Sequence, residues 1–497
     1  MNLGTPEAIF AIAALMLLLS IMAVRLSRRL GMPSLLLYLG IGLVLGVDTL
    51  GIELTNTLLT EELGFVALVF ILAEGGLTTR WANVRPAIGL GVALATVSVA
   101  VSIAVAGAGV FLLMGFDWRT SLLWGAVLSS TDAAAVFSVL RGVGVKSRLS
   151  AALELESGLN DAPVVIAVVL LAGTSEISWL DPLLVVYELV IGAVVGAAIG
   201  FGGAWIMRRE ALPAAGLYPL ATIALIGGAY AVGVFIHASG FLACYLAAVV
   251  LGNSRVPHRA ATLSFAEGLG WLAQIGLFVM LGIYVDPTGL PAALVPGLLI
   301  GLWVLLVARP TSVVAAALPF RLPWREQAFL SWSGLRGAVP IVLAMIPLMN
   351  GVEHSSLLLD VIVVIVVTYT LLQGTSLPWV ARKLGVVQSG QAFEIQLEAA
   401  PLDEMNAHVL QVTIPEKSRM HGVYIAQLRL PVPATISLLM RNGEPMHLNP
   451  NIRLQSGDQL LIVAPERVRA ATERRLRAVG RGGALATWFG DRGERSD

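Results

Sequence analysis

From its first turns onward the chain repeats one pattern: an apolar run of roughly twenty residues, long enough to cross about 30 Å of hydrocarbon as a helix, then a short polar break. The pattern predicts helices near 6–24, 33–48, 62–79, 86–114, 119–140, 150–173, 182–206, 214–236, 239–252, 264–285, 290–318, 327–349 and 355–380, which makes about thirteen crossings. The breaks differ in charge. Alternate ones carry Arg25, Arg28 and Arg29; Arg80 and Arg85; Arg141, Lys146 and Arg148; Arg208 and Arg209; Arg255 and Arg259; Arg321 and Arg325; Arg382 and Lys383. The intervening breaks hold only Arg119. That alternation follows the positive-inside rule and predicts an N-terminus outside and a C-terminus in the cytoplasm. No basic residue precedes the first run and no small-residue cleavage site follows it, so it is read as a retained span.

Beyond Lys383 the pattern changes. Residues 386–400 read as a polar linker, 401–480 as a small α+β cytoplasmic module, and 481–497, rich in Gly and Arg, as a disordered tail. Within the module the alternation predicts strands at 408–414, 434–440, 452–454 and 459–463, a short helix at 422–430 and a basic amphipathic helix at 466–479. Arg441-Asn442-Gly443-Glu444 reads as a hairpin turn. No strand is followed by Gly-x-Gly-x-x-Gly, which argues against a dinucleotide domain.

Composition agrees: 57% hydrophobic residues and 13% charged residues in 497 leave more apolar surface than a soluble core can hide. A formal net charge of +0 argues against a nucleic-acid partner, and the single Cys244 excludes a disulfide framework or a thiolate metal site.

Against this background the polar residues at membrane depth stand out. In the sixth run Glu154, Ser157 and Asp161 share one helix face, with Glu156 and Asn160 on the next, and Pro163 deprives the Leu159 carbonyl of its usual donor. Crowded oxygen acceptors around an ionisable carboxylate suit a small hard cation or a proton. In the fifth run Ser129-Ser130-Thr131-Asp132 interrupts the helix, because hydroxyls compete for its backbone hydrogen bonds. In the twelfth, Ser331 to Pro340 places Arg336 among helix breakers; Glu74 lies in the third run and Arg309 in the eleventh. Arg336 at that depth needs a carboxylate partner, and Glu156 is the first choice, which leaves Asp161 and Asp132 to the transported ion. The excess of carboxylates invites cations. The two interrupted runs are seven crossings apart and therefore oppositely oriented. Inverted repeats of six spans about a linker span would cross these two broken helices at the midplane.

The segments Ser-Thr-Asp at 130–132, Glu-Ser-Gly-x-Asn-Asp-x-Pro at 156–163 and Gly-Leu-Arg-Gly-Ala at 334–338 together resemble the NhaP-type monovalent cation:proton antiporters over residues 1 to 385. The resemblance implies a homodimer in a bacterial inner membrane, with a transport domain built on two crossed, unwound helices. It also implies that Asp161 alternately carries proton and cation, with Asp132, Thr131 and Ser157 completing the site, Glu74 close by and Glu156 paired with Arg336. Asn160 before the Asp goes with electroneutral one-for-one exchange in that superfamily. The module at 401–480 resembles the C-terminal half of regulator-of-potassium-conductance domains, with Asp458 in its Gly-Asp turn. That implies a potassium/proton exchanger tuned by a small ligand or an ion, with no cofactor. Sodium/proton exchange on the same fold is the alternative. A ligand-gated cation channel is the rival of another class, disfavoured by the missing Thr-Val-Gly-Tyr-Gly filter and by a titratable Asp at the midplane. An ATP-driven pump is disfavoured because no Gly-x-x-x-x-Gly-Lys loop occurs.

Overall fold

The computed structural model describes residues 6–30, 34–46, 57–131, 144–173, 178, 180–285, 287–387, 396–402, 407–415, 418–483 and 486. It separates into two compact units, one holding residues 1–141 and 145–387 and the other 142–144 and 388–497.

The first unit is helical. In chain order its helices are α1 (Pro6–Leu30), α2 (Ser34–Leu45), α3 (Thr57–Thr78), α4 (Trp81–Met114), α5 (Trp118–Val127), α6 (Ser147–Ala172), α7 (Asp181–Arg209), α8 (Leu217–Phe235), α9 (Gly240–Asn253), α10 (Arg259–Tyr284), α11 (Leu290–Phe320), α12 (Trp324–Trp332), α13 (Val339–Met349) and α14 (Ser355–Lys383). Seven of them, α4, α6, α7, α8, α10, α11 and α14, are long and apolar enough to cross a membrane unaided, among the described residues. The shorter apolar helices α2, α9 and α13 lie alongside them.

Packing depends on glycine where backbones meet. Gly192, Gly196 and Gly200 recur every fourth residue on α7, and a Cβ on Gly196 would lie 2.4 Å from the Ala243 carbonyl oxygen of α9. The α2–α10 crossing is equally close, since a Cβ on Gly42 would meet the Val279 carbonyl at 2.1 Å. Small residues permit such approaches between apolar helices, where packing and not hydrophobic burial drives association. Helices α2, α3, α9 and α10 pack on one another, α4, α5, α6 and α11 do likewise, and α6 also meets α3 and α9.

Among the described residues, two of the expected long helices lose their helical path partway. The fifth stops at Val127; Ser129 Oγ bonds back to the Gly125 carbonyl at 2.6 Å, and helix is absent from Leu128 to Thr131. The twelfth breaks between α12 and α13, where Gly334 to Gly337 are not helical. On leaving α14 the chain forms an isolated antiparallel bridge between Val387 and Val145, and Lys146 N–H donates to the Val386 carbonyl at 3.0 Å. The Lys146 ammonium lies 2.7 Å from Glu326 Oε1, at the start of α12.

The second unit is an antiparallel sheet in the order β1-β2-β5-β3-β4, from β1 (Gln396–Leu402), β2 (Ala407–Thr413), β3 (Thr435–Arg441), β4 (Glu444–Met446) and β5 (Gln459–Pro465), with α15 (Glu466–Gly482). Leu410, Val412, Leu439, Leu460 and Ile462 form its core with Leu476 and Val479 of α15. Asn442 and Gly443 have φ of 53° and 84°, the left-handed pair that a two-residue type I′ hairpin requires. Arg441 grips Asp458 with two bonds of 2.8 Å, and Asp458 Oδ2 also accepts the Gln455 amide at 2.7 Å.

Three expectations about this unit change. The stretch 386–400, read as linker, contains the start of β1; Pro401 fits there because β1 is an edge strand that needs no donor on its outer side. Residues 452–454 contribute only a bridge between Arg453 and Tyr424, and the helix expected at 422–430 is a short 3-10 turn, Ile425–Leu428. The expected tail beyond 486 lies outside the described residues.

Candidate functional site

The site forms where the end of α5 meets the middle of α6. Helix α6 runs unbroken through Pro163 and buries Glu156, Ser157, Asn160 and Asp161, none more than 8% exposed. The interruption after α5 turns hydroxyls and carbonyls toward them. Ser130 Oγ donates to Asp161 Oδ1 at 3.0 Å, Ser157 Oγ donates to the Thr131 carbonyl at 2.8 Å, and Asn160 Nδ2 donates to Thr131 Oγ1 at 2.7 Å. The backbone that gave up its helix is thus bound by the side chains of the neighbour, which settles the otherwise costly polar groups at this depth.

Two arginines secure the ends of the half-helices. Arg336, 1% exposed, donates to the Ser130 carbonyl just past the end of α5. Arg309, 5% exposed, donates to the Leu330 carbonyl in α12 at 3.2 Å and pairs with Glu156 Oε1 at 2.5 Å. Cations at helix C-termini compensate the negative end of the helix dipole. At the far end of α6, Arg119 bonds the Leu171 carbonyl at 3.0 Å and also reaches the carbonyls of Leu170 and Gly173, tying the start of α5 to the end of α6. The single basic residue in the intervening breaks therefore serves as a helix cap.

The expected Glu156–Arg336 pair is corrected: the structure pairs Glu156 with Arg309 and turns Arg336 to backbone. A Cβ on Gly334 would fall 2.7 Å from Arg309 Nε, so glycine there is what admits the guanidinium. Sequence reasoning placed Arg309 in the eleventh run without a partner; the signal was a lone Arg before Pro310 in an apolar run. Ser130 was read as part of the interruption and of the Ser-Thr-Asp motif and not as a site residue, yet it donates to Asp161. Of the other expected site residues, Thr131, Ser157 and Asn160 converge, and Asp132 lies outside the described residues. Glu74 sits half-buried on α3, with its side chain against Gly270 of α10.

Two acceptors and two donors are left over. Asn160 Oδ1 and Glu156 Oε2 are buried without a hydrogen-bond partner among the described residues, and so are the Nε atoms of Arg309 and Arg336. Oxygen acceptors grouped about one carboxylate fit a proton or a desolvated alkali cation.

The chain is similar to known proteins in sequence and in fold. The family described as "Sodium/hydrogen exchanger, transmembrane" matches residues 14–383, and the TrkA-C domain matches 409–477. The chain is 36% identical over 464 residues to the K(+)/H(+) antiporter NhaP of Alkalimonas amylolytica, covering 91% of this chain and 80% of that protein. It is 32% identical to the K(+)/H(+) antiporter NhaP2 of Shewanella baltica, over 99% of this chain and 87% of that one. Among solved structures, the sodium proton antiporter MjNhaP1 of Methanocaldococcus jannaschii superposes with a TM-score of 0.64 at 20% identity, covering 76% of this chain and 98% of that one, which speaks to the fold.

Proposed function

The chain belongs to the sodium/hydrogen exchanger family and carries a TrkA-C domain, and on that premise we propose that it exchanges potassium for protons, one for one, through Asp161. It is a multi-pass membrane antiporter, not an enzyme, and the family assignment removes the channel reading.

The observation that carries the mechanism is the buried Ser130–Asp161 contact at the helix interruption. Burial penalises the charged carboxylate, so Asp161 is kept neutral by a proton or by a cation. The two compete for one group and cannot bind together. If the helices around the site shift between inward and outward access only with that charge neutralised, exchange is obligatory and runs on the gradients alone. Asp132, Thr131 and Ser157 complete the oxygen ligands in this reading. Asn160 contributes no second titrating charge and instead holds Thr131, which favours electroneutral exchange. Potassium is favoured over sodium because both relatives quoted above are named for it.

The finer architecture belongs to the same proposal: about thirteen crossings arranged as inverted repeats, with α5 and the α12–α13 pair as the crossed broken helices. A homodimer in a bacterial inner membrane, with the N-terminus outside and the TrkA-C module in the cytoplasm responding to a small ligand or an ion, completes it.

The test is exchange in proteoliposomes. Asp161→Asn is expected to abolish potassium-driven proton movement while the protein inserts and elutes as the wild type does. Wild-type rates in that variant would end the proposal, and sodium outcompeting potassium in the wild type would replace the cation.

A further inference from the structure

On the Lys146 side of Asp161, two turns or about 10 Å back along α6, the structure holds a second carboxylate that the exchange mechanism does not use. Glu154 Oε1 lies 2.6 Å from Thr79 Oγ1, which itself lies 2.8 Å from the Gly75 carbonyl. The threonine hydroxyl has one hydrogen and both neighbours are acceptors if Glu154 is ionised. One of two short oxygen–oxygen contacts would then lack a hydrogen. A proton on Glu154 Oε1 satisfies both: Glu154 donates to Thr79, and Thr79 donates to Gly75. A separation of 2.6 Å is ordinary for such an O–H···O bond.

The surroundings are built to hold this arrangement. Thr79 is 1% exposed, and its carbonyl accepts Asn253 Nδ2 at 2.8 Å, while Asn253 Oδ1 accepts the Trp81 amide at 2.8 Å, so the end of α3 is pinned to the end of α9. From α9, Tyr245 reaches the same place. Its ring lies against Gly158, one turn beyond Glu154, where a Cβ would stand 2.3 Å away. Its hydroxyl, close to Thr79 and Glu154, is buried and makes no hydrogen bond among the described residues. A buried hydroxyl with no fixed partner beside a carboxylate offers an oxygen to a mobile guest. The charged and titratable groups on the elements around it are Glu74 on α3, Arg80 and Arg85 at the start of α4, Tyr245 on α9, and Glu156 on α6, which Arg309 already holds.

We propose that Glu154, Thr79 and Tyr245 form a second proton-binding station, occupied on the way between the Lys146 end of α6 and Asp161. It rests on the antiport reading for its purpose, not for its chemistry. The proton docks on Glu154 Oε1 and no covalent bond to carbon forms or breaks. Because Glu154 is on α6 while Thr79 and Tyr245 belong to the group containing α3 and α9, the Glu154–Thr79 bond joins the two packed groups of helices, and loading the station reverses its direction and frees the Thr79 hydrogen for the Gly75 carbonyl.

The test is infrared difference spectroscopy on the full chain in lipid, with exchange in proteoliposomes measured in parallel. A protonated-carboxyl stretching band is expected at neutral pH in the wild type and in Asp161→Asn. It should vanish in Glu154→Gln and move in frequency in Thr79→Val, which keeps the carboxyl and removes its acceptor. Exchange in Glu154→Gln is expected to persist with a displaced pH profile. A spectrum that Glu154→Gln and Thr79→Val both leave unchanged through the neutral range overturns the station, because Glu154 is then ionised. A wild type that shows the band yet performs no exchange overturns the antiport reading instead, so the two failures are separable.

Discussion

The pairing of Glu156 with Arg309, not Arg336, gives a measurable consequence. Both partners are buried, at 2% and 5% exposure, with 2.5 Å between Oε1 and Nη1. Converting Glu156 to Gln leaves the Arg309 charge at that depth with the Leu330 carbonyl as its remaining described acceptor. Removing one partner of a buried pair costs about 3–5 kcal/mol, which shifts an unfolding equilibrium by roughly a hundred- to several-thousand-fold. Replacing Arg309 by Gln as well removes the stranded charge and should recover much of that loss. A double-mutant cycle in detergent, read by tryptophan fluorescence through Trp332 and its neighbours, isolates the interaction. The 156–309 coupling should exceed about 1.5 kcal/mol and be clearly larger than that of 156 with 336, since Arg336 is bound to the Ser130 carbonyl. A 156–336 coupling equal to or above the 156–309 value would refute the assignment.

Two further outcomes follow from local geometry. Gly158→Ala drives a methyl to within 2.3 Å of the Tyr245 ring, and such overpacking costs about 1–3 kcal/mol; Tyr245→Leu should relieve it in thermal melts, while Tyr245→Phe, which keeps the ring, should not. Asp117 caps α5 by accepting the Thr120 amide at 3.0 Å, so Asp117→Ala should cost about 1 kcal/mol. Hydrogen bonding to Thr120 holds the Asp117 carboxyl below its ordinary range. Its contribution is therefore complete above that range and fades as pH falls through the lowered value, and wild-type and variant melting curves should converge in acid.

The interruptions were legible because a run of hydroxyls, or Gly beside Arg, is out of place in an apolar helix. Ser129 to Thr131 and Ser333 to Ala338 announced themselves by residue type alone. So did the Asn442-Gly443 hairpin, whose backbone needs two left-handed residues in succession. Which arginine meets Glu156 was not legible. Charge balance demands a partner, but residues 156, 309 and 336 are far apart in the chain, and only packing decides between two buried guanidiniums. The π-helical turn at Val304–Ala308, immediately before Arg309, leaves no mark in hydropathy. Strand β1 escaped notice because Gln396–Leu402 carries Pro401 and little apolar alternation, which is tolerable only at a sheet edge.

The bridge between Val145 and Val387 means that the polypeptide does not simply dangle from the last helix. Traction on the chain at Val387 is delivered to the opening turn of α6, and through Lys146 to Glu326 at the foot of α12, so the helix that carries Asp161 and the helix ahead of the Gly334–Gly337 break feel the same pull. From Lys146 to Asp161 the load travels along fifteen residues of continuous α6, about 22 Å, a distance over which a helix behaves as a stiff rod.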